Sequence, residues 1–139
     1  MTLSGKILVI RFSSIGDIVL TTSFIATLKK TFPNFEIHYL TLDKFSSILE
    51  FHPEIDRVIE LNSNSNFKEL LEFNKFIKSS NYNKIFDLHG SIRSRLITKG
   101  IGQSISRVKK PRFLRFILFQ FHINMFPLNY SATHLSLIH

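Results

Sequence analysis

Ser13, Ser14, Gly16 and Asp17 follow directly on the apolar run Ile7-Leu8-Val9-Ile10 and precede Ile18-Val19-Leu20. A carboxylate is suited to accepting a proton. The two hydroxyls and the free N–H groups of such a turn are hydrogen-bonding groups, and Gly16 lacks the Cβ that would keep another group from the backbone. A second polar turn, Asp87-Leu88-His89-Gly90, follows the apolar Lys84-Ile85-Phe86 and leads into a helix beginning near Ser91. His89 and Arg93 are candidates for contacting phosphate or acidic groups, since a guanidinium matches such anions bidentately. Each of these residues also has an ordinary reading. Asp17 is a good N-cap, the serines can satisfy the turn's own backbone, Ser91 can cap a helix, and Arg93 and Arg95 can form its wet face. Arg11 reads as a solvated side chain just after a strand. On spacing alone both readings stand.

Strands and helices must position these turns, and the chain alternates between them at the spacing of βαβ units. Ile7–Ile10 is a short β-branched run of the kind found in parallel strands covered on both faces. A helix is expected over Ile18–Thr31, ended by Pro33-Asn34, then a strand over Glu36–Leu40. Asp43 opens a short helix through Leu49, Pro53 breaks the chain, and Arg57–Leu61 is the third strand. After the polar Asn62–Asn66 comes a helix over Phe67–Ser79, a strand over Lys84–Phe86 and a fifth over Ile105–Val108. The expected fold is α/β, a Rossmann-like parallel sheet flanked by helices, in which the two polar turns sit on neighbouring strand ends and line one crevice.

Several function classes are excluded. Neither G-x-G-x-x-G nor G-x-x-x-x-G-K-[ST] occurs, which removes the dinucleotide and P-loop signatures. The 139 residues contain no cysteine, and the six His and ten Asp/Glu show no ligand spacing, so no metal is expected. No signal-like or membrane-spanning run is present. The net charge of +8 is uneven: residues 1–83 hold nine Lys/Arg and nine Asp/Glu, whereas residues 84–139 hold nine Lys/Arg against Asp87 alone. That polarity suits a partner bearing phosphates. It is densest at Lys109-Lys110-Pro111-Arg112, just before the Phe-rich Phe113–Phe121. This basic and Phe-rich region is expected to pack on the sheet or on a further domain, with contact at a membrane interface or with nucleic acid as the other uses.

Lys6–Thr22 together with Phe86–Arg95 resembles the bacterial heptosyltransferases of glycosyltransferase family 9. That family shows a strand, R-x-S-S-x-G-D and a helix, then later a strand followed by D-x-x-G and an R-S run. The resemblance implies the N-terminal, acceptor-side half of a GT-B fold. It also implies inverting, metal-independent transfer of heptose from ADP-heptose to the inner core of lipopolysaccharide, without a cofactor. In that scheme Asp17 is the general base, Ser13 and Ser14 orient acceptor or donor, and Gly16 allows close approach. Asp87, His89, Gly90 and Arg93 are then substrate-binding. Ser23 departs from the proline common after the Thr-Thr pair. Family members are usually more than twice as long and carry the nucleotide-sugar site in a second Rossmann-like domain. The expectation is therefore a single domain over residues 1–139, with the C-terminal nucleotide-sugar domain absent, inactive alone or completed by another chain. The tail Ser131–Leu135 would then approach an interdomain linker. The implied location is cytoplasmic, with peripheral contact at the inner membrane and no nucleic acid as partner. The alternative is a basic α/β module that binds anionic lipid or nucleic acid without catalysis.

Overall fold

Alternate residues of Gly5–Ile10 (β1) supply two different cores, as the period-2 geometry of a strand requires. Ile7 and Val9 pack with Ile37 and Tyr39 of Phe35–Leu42 (β2) and with Ile18, Ile25 and Leu28 of Ile15–Thr31 (α1). Leu8 and Ile10 face the other way. They pack with Leu40, with Ile85 of Lys84–Asp87 (β4), with Leu70 and Ile77 of Phe67–Ser79 (α2), and with Ile97 of Ile92–Ile97 (α3). Burial on both faces explains why β1 is an unbroken apolar run.

The computed structural model describes residues 4–101 and 105–107. Within them Arg57–Leu61 (β3) and Ile105–Arg107 (β5) complete a parallel sheet of order β3-β2-β1-β4-β5. A short 3-10 helix, Asp43–Ile48, follows β2. The order is that of a doubly wound sheet, and its direction of growth reverses between β1 and β4. A crevice opens there, outside the carboxyl ends of the two strands. Ile10 pairs in register with Asp87, so both polar turns emerge side by side.

Most elements lie where their sequence patterns predict, α2 and β3 with the same bounds. The exceptions have local causes. α1 begins at Ile15 and not Ile18, because Ser14, with extended backbone (φ −93°, ψ −179°), takes the N-cap position. Asp17 is consequently not the cap. It sits inside the first turn, near the positive end of the helix dipole. β2 extends to Leu42 because β3 pairs with it through Leu42↔Leu61. Ser91 does cap α3, in a reciprocal box with Ser94: each hydroxyl accepts from the other residue's backbone N–H, at 3.2 and 3.0 Å. The Val108 end of the fifth strand, the basic and Phe-rich stretch from Lys109 to Phe121, and the tail Ser131–Leu135 lie outside the described residues.

Candidate active site

At the end of β1 the chain turns through Arg11–Ser14, and the Arg11 backbone N–H is held by the Leu40 carbonyl of β2 at 3.1 Å. Its side chain does not reach solvent, contrary to the expectation for a lone arginine after a strand. The guanidinium is 5% exposed; Nη1 donates to the Leu88 carbonyl at 2.8 Å, and Nη2 to Asp17 Oδ2 at 2.6 Å. A buried arginine is tolerated only where such partners replace water.

Asp17 is 17% exposed. Its Oδ2 also accepts from the Ser14 hydroxyl at 3.2 Å, the Ser14 backbone N–H also bonds the carboxyl, and no side chain among the described residues donates to Oδ1. Partial burial pushes the proton affinity of this carboxyl up. The Arg11 charge and hydrogen bond, with contributions from Ser14, outweigh it, so the pKa lies below the ordinary 3.8. The group is a carboxylate at neutral pH. Ser13 is half-buried, Ser14 is exposed, and the peptide bond between them is cis. Beside Asp17, Gly16 is exposed, and a Cβ there would meet nothing within 4 Å among the described residues.

The second turn is built from below. Asp87 was a candidate substrate contact, but it is fully buried with both oxygens engaged. Its Oδ1 accepts from the backbone N–H groups of His89 (3.1 Å) and Gly90 (2.9 Å). Its Oδ2 accepts from the Ser94 hydroxyl (2.9 Å) and lies 3.3 Å from Arg107 Nε of β5. A carboxylate without exposed surface shapes the loop and ties it to α3 and β5. Gly90 is exposed with φ +66°, the left-handed conformation that glycine adopts without penalty, and this reverses the chain into α3.

His89 is half-buried, its ring packed on Phe12 with centroids 4.9 Å apart, and its Nδ1 is buried with no hydrogen-bond partner among the described residues. Burial first, and then the Arg11 charge, hold its pKa below the ordinary 6.5, so the imidazole is neutral at pH 7. Arg93 lies over the opposite part of the same environment, 5.8 Å from the Phe12 ring centroid. Its Nη2 reaches the Asn62 and Ser63 carbonyls at 3.2 and 3.4 Å, long bonds that tie α3 to the β3–α2 loop. It is therefore neither wholly wet nor fully committed.

Ser13, Ser14, Gly16, Asp17, His89, Gly90 and Arg93 thus gather on the two loops at the β1–β4 switch point and on the first turns of the helices that follow them, with Asp87 beneath. Arg11 and Phe12 belong with them although neither was a candidate. The signal for Arg11 was a cation just after a buried strand with a carboxylate six residues on. For Phe12, buried between the loops, no local signal exists. Among the described residues no group of three or more His, Asp or Glu gathers at metal-ligand distances, and no helix is long and apolar enough to cross a membrane. A pocket between β3 and α2, lined among others by Glu60, Asn62, Glu69, Glu72 and Phe73, adjoins this crevice at Asn62, whose carbonyl accepts from Arg93.

No protein-family model matches the chain. Two curated proteins, each a lipopolysaccharide heptosyltransferase 1, are similar in sequence. That of Campylobacter coli is 31% identical over 97 residues, 68% of this chain and 28% of the relative. That of Pseudomonas aeruginosa is 22% identical over 108 residues, 71% of this chain and 30% of the relative. A solved glycosyl transferase family 9 structure from Veillonella parvula superimposes with a TM-score of 0.63 at 28% identity, over 71% of this chain and 30% of its own. The E. coli heptosyltransferase WaaC with ADP-2-deoxy-2-fluoro heptose shares the fold, with a TM-score of 0.56 at 21% identity over 66% of this chain and 32% of its own. The matched segment therefore spans less than a third of each of these relatives.

Proposed function

The chain belongs to the heptosyltransferases of glycosyltransferase family 9, and from that premise we propose that its β1–β4 crevice binds a lipopolysaccharide-core acceptor and takes a proton from its attacking hydroxyl. The donor in this reading is ADP-heptose. The acceptor oxygen forms a bond to the anomeric carbon as the bond from that carbon to the diphosphate breaks, with inversion. ADP leaves with the electron pair, and the hydroxyl proton passes to Asp17.

The weak basicity of Asp17 suits this step. A carboxylate paired with Arg11 is ionised at neutral pH and so ready to accept. The hydroxyl becomes strongly acidic only as its oxygen bonds to carbon, so a strong base is not required. Gly16 leaves room for the acceptor, and Ser13 and Ser14 offer hydroxyls to orient it. Arg93 and the His89–Gly90 turn receive its anionic groups, since Arg93 spends only one nitrogen on long carbonyl bonds. Asp87 acts on this turn from below. Contacts to ADP-heptose are assigned to residues outside this crevice, on this chain or another, and transfer needs both substrates held together. The reading places the reaction on the cytoplasmic side, with the acceptor met at the inner-membrane surface.

The observation that carries the proposal is a partly exposed, charge-paired carboxylate next to open space at the switch point. Titrating the chain with a heptose-free lipid A-core oligosaccharide, followed by amide NMR, tests it. Shifts are expected at Ser13, Ser14, Gly16 and Gly90. Transfer from ADP-heptose by an active preparation should fall about 10²- to 10⁴-fold in Asp17→Asn. Unperturbed loops, together with salt-sensitive binding to anionic vesicles or DNA that ignores Asp17→Asn, would replace it with the basic binding module.

A further inference from the structure

We propose that Arg11 is a positioning residue that occupies one oxygen of Asp17 and leaves Oδ1 as the oxygen that receives the acceptor's proton. This rests on the reading of Asp17 as the base. The argument is geometric. Arg11 is fixed from three sides: its backbone N–H to Leu40 of β2, Nη1 to the Leu88 carbonyl after β4, and Nη2 to Asp17 on α1. The strand end that carries it is pinned by β2, and the loop it reaches is pinned by the Leu88 N–H bonding to the Ile10 carbonyl at 3.0 Å. The guanidinium is planar and its donors lie in a rigid fork, so its orientation follows from these anchors.

A carboxylate can meet a guanidinium through both oxygens. Here only Oδ2 is used, and Ser14 donates to that same oxygen. Two side-chain donors on Oδ2 set the rotation of the carboxylate, and Oδ1 receives no side-chain hydrogen bond among the described residues. In this proposal the proton arrives at Oδ1, on a group whose other oxygen is already engaged by Arg11 and Ser14. Other ionisable groups sense the pair electrostatically: Tyr39 on β2 senses both charges, as does His89 after β4, and His89 is in turn bordered by Asp87 and Arg93. Burial raises the Tyr39 pKa and lowers that of His89, so both are neutral at pH 7 and Arg11 is the charge that sets the state of Asp17.

The test is a carbon-detected NMR titration of the Asp17 carboxyl in the unmodified chain, Arg11→Met and Arg11→Lys. Arg11→Met should raise the proton affinity of Asp17 roughly tenfold or more, and Arg11→Lys should restore part of the difference because it returns the charge without the fork. In an active preparation the acid limb of the transfer-rate pH profile should move upward by the same interval in Arg11→Met, a change that loose packing alone does not produce. Should Arg11→Met fail to fold, the unmodified chain still decides. The Arg11 Nη protons should be resolved, slow to rotate and sensitive to Asp17 protonation. Averaged Nη protons, or an Asp17 titration unchanged in a folded Arg11→Met, would overturn the proposal. Because these readouts need no sugar, a coupled Arg11–Asp17 pair in a chain whose loops ignore the acceptor would instead refute the acceptor reading alone.

Discussion

The contrast between Gly16 and Asp17 separates function from stability most clearly. Gly16 has helical neighbours, no positive φ and open space where a Cβ would go. Gly16→Ala should therefore leave the fold intact or stabilise it by about 0.5–1 kcal/mol, read by chemical denaturation. The same methyl would stand in the approach to Asp17, so acceptor affinity should fall in the same variant. Equal or tighter acceptor binding would show that the crevice is approached from elsewhere. Asp17→Ala acts in the opposite sense. It leaves the buried Arg11 guanidinium without its counter-charge and should cost roughly 3 kcal/mol in unfolding free energy. Loss of transfer in Asp17 variants must therefore be measured well below their melting temperatures, with Asn preferred to Ala because it keeps an acceptor oxygen for Arg11.

The turn between β4 and α3 works as a unit whose keystone is Ser94. Its buried hydroxyl donates to Asp87, accepts from the Ser91 backbone N–H and stands in the first turn of α3. Removing it leaves Asp87 Oδ2 short of a donor in a place without water. Ser94→Ala should cost about 1–3 kcal/mol, and hydrogen exchange should accelerate at His89, Gly90 and Ser91 while α1 stays protected. Uniform protection throughout would mean that Asp87 holds the loop unaided. The start of α1 shows what local sequence can and cannot convey. Ser14 and Asp17 are both good cap residues, and the structure gives the position to Ser14, whose backbone is extended, with Asp17 in the first turn. Arg11 pulls Asp17 toward β1 and away from the capping position, and that contact is invisible to a reading of helix propensity.

Across the molecule, buried histidines make stability depend on pH. His38 lies within the α2-side packing, its Nδ1 2.7 Å from the Tyr82 hydroxyl. Burial holds its pKa below 6.5, and His89 is shifted the same way. The folded state thus binds fewer protons than the unfolded chain once the pH falls below about 6.5. Stability is level above that value and declines as the pH is lowered toward the folded-state values. Asp17 and Asp43, both depressed below 3.8, add a second decline as the pH falls through their lowered values. Thermal unfolding from pH 8 to pH 4 should show a melting temperature that drops below pH 6.5. His38→Phe, which removes one of the two titrating rings, should flatten that part of the curve. An unchanged slope in this variant would assign the effect to His89.

The amino-acid sequence by itself determined the alternation of strand and helix, the parallel sheet and the two polar turns, because each is encoded in runs of a few adjacent residues. Apolar runs bounded by glycine, asparagine or proline mark β1, β3 and α2 without knowledge of anything distant, and a short motif in each turn carries the family kinship. The tertiary structure alone decided which side of each polar residue faces inward. Asp87 and Arg11 are as hydrophilic as Arg95, yet the first two are buried and the third is exposed. The difference lies in partners 77 residues away for Arg11 and on the neighbouring strand β5 for Asp87. Burial of a charge depends on such partners, and they become neighbours only when β4 pairs with β1 on one side and β5 on the other.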